Sequence, residues 1–214
     1  MYLNIFLILI IISNILFSLK GFNDISFFRK FEFHIGSIRS GEKFRFLSSA
    51  FLHADYIHLA LNMYVLYSFA PVVIEYFGSI SFLIVYFCSL FSGGLLTYYF
   101  HKNDYNYRAI GASGAVMGIV YSAILINPNG EIALYGFIKM PSYVFGILYL
   151  LYSIYGMKAK NDNIGHTAHF GGAIGGYAFT LLKQPEIIFN NTLVIILVGI
   201  PILVLFFMAR KDKF

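Results

Sequence analysis

Tryptophan is absent from the 214-residue chain, cysteine occurs once, and Asp, Glu, Lys and Arg together make up only 12%. The single Cys88 excludes an internal disulfide framework and reads as a small core residue. With 59% apolar residues and a mean hydropathy of +0.74, so little charge excludes an ordinary soluble domain, which could not cover that much apolar surface. The formal net charge of +5 is modest and sits in connections beside apolar segments. That pattern excludes a nucleic-acid partner and fits lipid headgroups. In place of tryptophan, 24 Phe and 17 Tyr supply aromatic side chains for the two membrane interfaces.

Spanning a bilayer as a helix takes about 20 mostly apolar residues. Seven such stretches are present: 2–19, 55–77, 80–100, 109–127, 132–155, 163–182 and 187–208. Only a helix satisfies its own backbone in lipid, so all seven read as helices and the fold as an all-α polytopic membrane protein. The first lacks a basic flank and a clear small-residue cleavage site, so it reads as a retained helix and not a signal peptide. Most connections are short; "INPNGE" turns the chain through Pro128 and Gly130. The exception is 20–54, a long first loop with six of the fifteen Lys and Arg interleaved with phenylalanines. Such a loop fits the interface, phenylalanines down and basic groups toward headgroups. Lys and Arg fall mainly on the odd-numbered connections and the C-terminal tail, which by the positive-inside rule places those in the cytoplasm.

Polar groups inside apolar helices are costly and mark candidate sites. The second helix opens with "FLHADYIHLALNM", where His58 and Asn62 are four apart and share a face. The fourth carries Gly111, Ser113, Gly114 and Gly118. The sixth carries His169, Gly172 and Gly176 on one face. Two GxxxG faces, Gly114/Gly118 and Gly172/Gly176, allow close backbone approach and would bring Ser113 to His169. The second, fourth and sixth helices all start on one membrane side, so these groups share a depth. A serine beside a neutral histidine is the minimum for nucleophilic catalysis. His58, Asn62 and the backbone N–H groups of Ala112 and Ser113 could then bind the oxyanion. Asp162 is too far along to complete a triad. Two other readings stay open on these residues: a metal site built from His53, His58, His166 and His169, and a scaffold that recognises helices without chemistry. His53 and His166 read as interfacial, and His34 and His101 as loop residues.

"HADYIHLALNM", "GASGAVMG" and "AHFGGAIGG", in this order and each on an expected helix, resemble the three motifs of the rhomboid family of intramembrane serine proteases. "VVIEYFGSISFLIVY" resembles that family's Glu, Gly turn and third helix, with Glu75 in the structural acid position. The resemblance covers about residues 40–182. It implies a six-helix core, here 1–182, with 187–208 as an additional C-terminal transmembrane helix. It implies a Ser113–His169 dyad with no metal and no cofactor, and His58 and Asn62 at the oxyanion. It implies cleavage of single-span membrane proteins in or near their transmembrane segments, in contact with membrane lipids. Two positions depart from the pattern: Phe44-Arg45 stands for the usual Trp-Arg, and Met117 stands where an aromatic often packs on the histidine. The family topology puts the dyad on the outer side, opposite to the Lys and Arg count. The absence of an Arg-rich leader favours a bacterial-type plasma membrane over a mitochondrial one.

Overall fold

A computed structural model describes residues 4–134, 138–159 and 164–210. The chain enters α1 (Ile5–Asn23) at Asn4, whose side-chain oxygen accepts from the N–H groups of Phe6 and Leu7. The first loop is folded, not extended. It contains α2 (Ile25–Phe31), β1 (Phe33–His34), α3 (Ile35–Arg39), α4 (Arg45–Ser48) and a 3-10 turn at Ser49–Phe51. Asp55 caps α5 (Tyr56–Phe77) by accepting from the His58 N–H at 2.7 Å. Gly78, at φ +84°, closes α5 and opens α6 (Ser79–His101) with no intervening loop.

The fourth spanning helix is shorter than its apolar run. Ala109 belongs to β2 (Arg108–Ala109), which pairs antiparallel with β1, and α7 runs only from Ser113 to Ile126. The fifth differs more. Residues expected to start it form an antiparallel hairpin of β3 (Glu131–Leu134) and β4 (Ile138–Pro141), with Glu131 paired to Lys139 at 2.8 Å. An apolar run shows no difference between strand and helix by hydropathy alone. Pro141 marks the true start, and α8 (Ser142–Ala159) follows it, with the Ser142 hydroxyl donating to the carbonyls of Asn127 and Pro128. Then come α9 (His166–Lys183), the short α10 (Glu186–Asn190) and α11 (Thr192–Arg210). Among the described residues, seven helices of 14 to 23 residues therefore answer to the seven apolar stretches, the fourth and fifth starting later than their runs.

The four helices α1, α5, α6 and α11 are long and apolar enough to cross a membrane, while α7 is apolar but short. At 1.5 Å per residue, fourteen residues reach about 21 Å, against about 30 Å of hydrocarbon. Twelve of those fourteen residues are buried, so α7 is the central post of the bundle. It packs on α5, α6 and α9, and α9 also packs closely on α6. α8 lies to one side, against α11 and α9, and meets α7 only lightly.

Candidate active site

The helix seam comes first because it sets every position in the site. A Cβ on Gly172 would overlap the Gly114 carbonyl, and one on Gly176 would overlap the Gly118 carbonyl. The two GxxxG faces therefore meet backbone to backbone, as their spacing predicts. The offset face of α9 serves another neighbour. A Cβ on Gly171 would come within 2.7 Å of the Ser92 carbonyl on α6, and one on Gly175 within 2.8 Å of the Ser89 α-carbon. Two glycine registers on one helix thus seat α7 and α6. Cross-helix hydroxyls tie the same junction: Thr180 donates to Ser122 at 2.7 Å, and Thr97 meets Thr167 at 3.1 Å.

Ser113 and His169 both flank this seam. Gly114, next to Ser113, faces the carbonyl of Ala168, next to His169, and a Cβ there would sit 3.1 Å from it. Ser113 is the first residue of α7, so its N–H has no partner within the helix and points out of the positive end of the dipole. Gly111 has φ +115°, a conformation that side-chain-bearing residues rarely adopt. A Cβ on it would be 2.9 Å from His58 Cε1, 3.1 Å from His58 Nε2 and 3.6 Å from Ser113 Oγ. The bare Gly111 α-carbon thus lies between the His58 ring and the Ser113 hydroxyl. One turn along α5, Asn62 is buried and its side-chain N–H donates to the His58 carbonyl at 2.9 Å.

One expected oxyanion donor has another use. The Ala112 N–H points at Nε2 of His53, at 3.5 Å. His53 is not interfacial. It has no exposed surface, its Nδ1 lies 2.9 Å from the Ser18 hydroxyl on α1, and its ring meets His58 edge-on at 4.9 Å. Burial, then the neighbouring His58, push its pKa down from the usual 6.5 to about 3, so it is uncharged. His166 is buried too, its ring filling the space a Cβ on Gly156 would need and meeting Tyr152 at 5.1 Å. The four histidines of the metal reading fall into two pairs, 53 with 58 and 166 with 169, and no group of three or more His, Cys, Asp or Glu with metal-holding geometry occurs among the described residues. Asp162 lies outside the described residues.

Two features are not legible in the sequence motifs. Tyr149 of α8 places its hydroxyl 2.6 Å from His169 Nδ1, with the two rings inclined by 27°. The aromatic neighbour missing at Met117 comes instead from another helix. Glu32, 2% exposed, pairs with Arg29 and Arg108, and its backbone carbonyl accepts from the buried Arg45. Arg45 therefore staples the first loop and does not face headgroups, whereas Phe44 beside it stays exposed. Glu75 is exposed at the far end of α5.

The Rhomboid domain family matches residues 40–186, well over half the chain and including all three motifs. The chain belongs to the rhomboid family. RHOMBOID-like protein 12, mitochondrial, of Arabidopsis thaliana is 28% identical to this rhomboid over 170 residues, covering 72% of this chain and 50% of the plant protein. The human Presenilin-associated rhomboid-like protein, mitochondrial, is 30% identical over 151 residues, covering 68% of this chain and 39% of the human one. YdcA of Bacillus subtilis (strain 168), which carries a rhomboid-protease name, is 33% identical over 147 residues, covering 68% of this chain and 69% of its own. This rhomboid spans half or less of those two mitochondrial relatives.

Proposed function

We propose that this rhomboid is an intramembrane serine endopeptidase that cleaves single-span membrane proteins in or near their transmembrane segment. The observation that carries the reading is the seam. Ser113 heads the short central helix at the point where that helix touches, through Gly114 and Ala168, the helix bearing His169. No cofactor enters the scheme. Ser113 Oγ attacks the scissile carbonyl while His169 takes its proton, and the imidazolium then protonates the leaving amine. The oxyanion forms at the head of α7. There the Ser113 N–H, the His58 ring and the second side-chain N–H of Asn62 supply donors, and the helix dipole favours negative charge. Water attacks the acyl-enzyme in turn, with His169 again as base.

Packing supports lateral access for the substrate. α8 packs on α9 and α11 and scarcely on α5, so a transmembrane segment would enter between α5 and α8. We place the protein in a bacterial-type plasma membrane. The YdcA match supports this, the mitochondrial relatives point elsewhere, and cell fractionation decides.

The test is covalent labelling of the detergent-purified chain with a fluorophosphonate probe. Wild type labels, folded Ser113→Ala and His169→Ala do not, and Asn62→Ala labels about 10- to 1000-fold more slowly as one oxyanion donor is lost. Equal labelling of wild type and Ser113→Ala overturns the assignment. Activity that is lost on chelation and restored by zinc favours the metal reading.

A further inference from the structure

A base needs more than proximity. Neutral imidazole carries one proton on one of two nitrogens, and only the bare nitrogen can accept. In His169 the Nδ1 side is occupied by the Tyr149 hydroxyl at 2.6 Å, which leaves Nε2 for Ser113. We propose that Tyr149 is the positioning residue of this dyad: its phenol oxygen accepts the Nδ1–H hydrogen bond and holds His169 in the tautomer whose Nε2 bears the lone pair. The proposal rests on the dyad reading above.

The chemistry closes in proton count. As the serine oxygen bonds to the substrate carbonyl carbon, its proton moves to Nε2. The imidazolium keeps Nδ1–H on the Tyr149 oxygen throughout. The Nε2 proton then leaves with the amine, restoring the starting tautomer. With the opposite polarity, the phenol donating to Nδ1, the ring proton would sit on Nε2 and the base would be unable to accept. A carboxylate in this place would carry a charge at membrane depth and bear its desolvation cost. A phenol oxygen supplies the acceptor without the charge. His166, one turn back on α9, is 6.4 Å away between ring centroids, and Tyr152 packs on His166. The seam side of α7 offers Gly114 and Ser113, and the facing part of α6 offers Gly93 and Thr97.

The device also has a location. Tyr149 is on α8, which meets the central post only lightly, so the position of α8 sets the tautomer of the base. The full chain with Tyr149→Phe, which keeps the ring, tests the assignment. Labelling by the fluorophosphonate is expected to slow about tenfold, the scale of one hydrogen bond. Nitrogen NMR of the chain labelled with 15N-histidine is a second and independent readout, and it needs no reaction with the probe. Wild type is expected to show the Nδ1–H tautomer at His169, assigned by its loss in His169→Ala, and Tyr149→Phe to show more of Nε2–H. A wild-type Nε2–H signal, or a folded Tyr149→Phe that labels within twofold of wild type, overturns the role of Tyr149. Failure of the dyad looks different, because then Ser113→Ala labels as wild type does.

Discussion

A histidine with no exposed surface between two structural partners has a measurable consequence. His53 joins Ser18 of α1 to the Ala112 N–H, the peptide just ahead of Ser113. Its pKa of about 3 means that between pH 6.5 and 3 the unfolded chain binds a proton that the folded one refuses. Stability therefore falls as the pH falls through that window, by up to about 1.4 kcal/mol per unit from this group. His53→Gln is expected to be less stable than wild type at pH 7.5, and to lose less of its melting temperature on going to pH 5. A variant whose melting temperature falls as steeply as that of wild type would refute this. Ser113, His169, His58 and Asn62 are legible from sequence because each is a polar group in an apolar helix. Tyr149 and His53 are not. One is lost among seventeen tyrosines, the other reads as interfacial, and the bonds that define them cross 20 and 59 residues.

Among elements, the α7–α9 seam has the least tolerance. Gly172→Ala puts a methyl into the Gly114 carbonyl, where backbone cannot give way, so the helices must part. The expected loss is about 1–3 kcal/mol of stability together with most of the probe labelling, because His169 moves with α9. Gly165→Ala, one residue before α9, meets only the Ala168 methyl at 3.9 Å among the described residues and is expected to leave both melting temperature and labelling unchanged. Equal effects of the two substitutions would mean that the seam is not the determinant. Small-residue spacing made this contact legible. The start of α8 was not, because 132–141 is apolar in either conformation and Pro141 is the only residue there that forbids a helix running through. The first loop reads as interfacial from its phenylalanines. Its folded interior depends on Glu32 meeting Arg108, 76 residues away, which no local pattern reveals.

For the whole molecule, seven long helices set a sidedness that charge counting obscures. The six Lys and Arg of residues 20–54 do not act as six free charges. Lys20 pairs with Asp24, Arg29 with Glu32 and Arg45 with Glu42. Half of the basic groups in this loop are therefore paired within it and hold its fold. The bundle puts the first loop and the turn after α7 on opposite faces. In a Cys88→Ser background, Lys43→Cys and Asn129→Cys are expected to react with a membrane-impermeant maleimide from opposite sides of sealed vesicles. Reaction from one side would break the seven-helix topology.

The packing of α11 along α8 reaches beyond stability. A single outer helix that swings away exposes new surface on both flanks and returns as lipid pressure dictates. Here the Tyr177 hydroxyl of α9 donates to the Ile195 carbonyl of α11, fastening the base of the seventh helix to the fixed bundle. α8 is therefore a leaf hung from a jamb, free along the edge facing α5 and restrained along the other. Shortening or loosening the jamb would shift how closely the leaf, and Tyr149 with it, lies against α9.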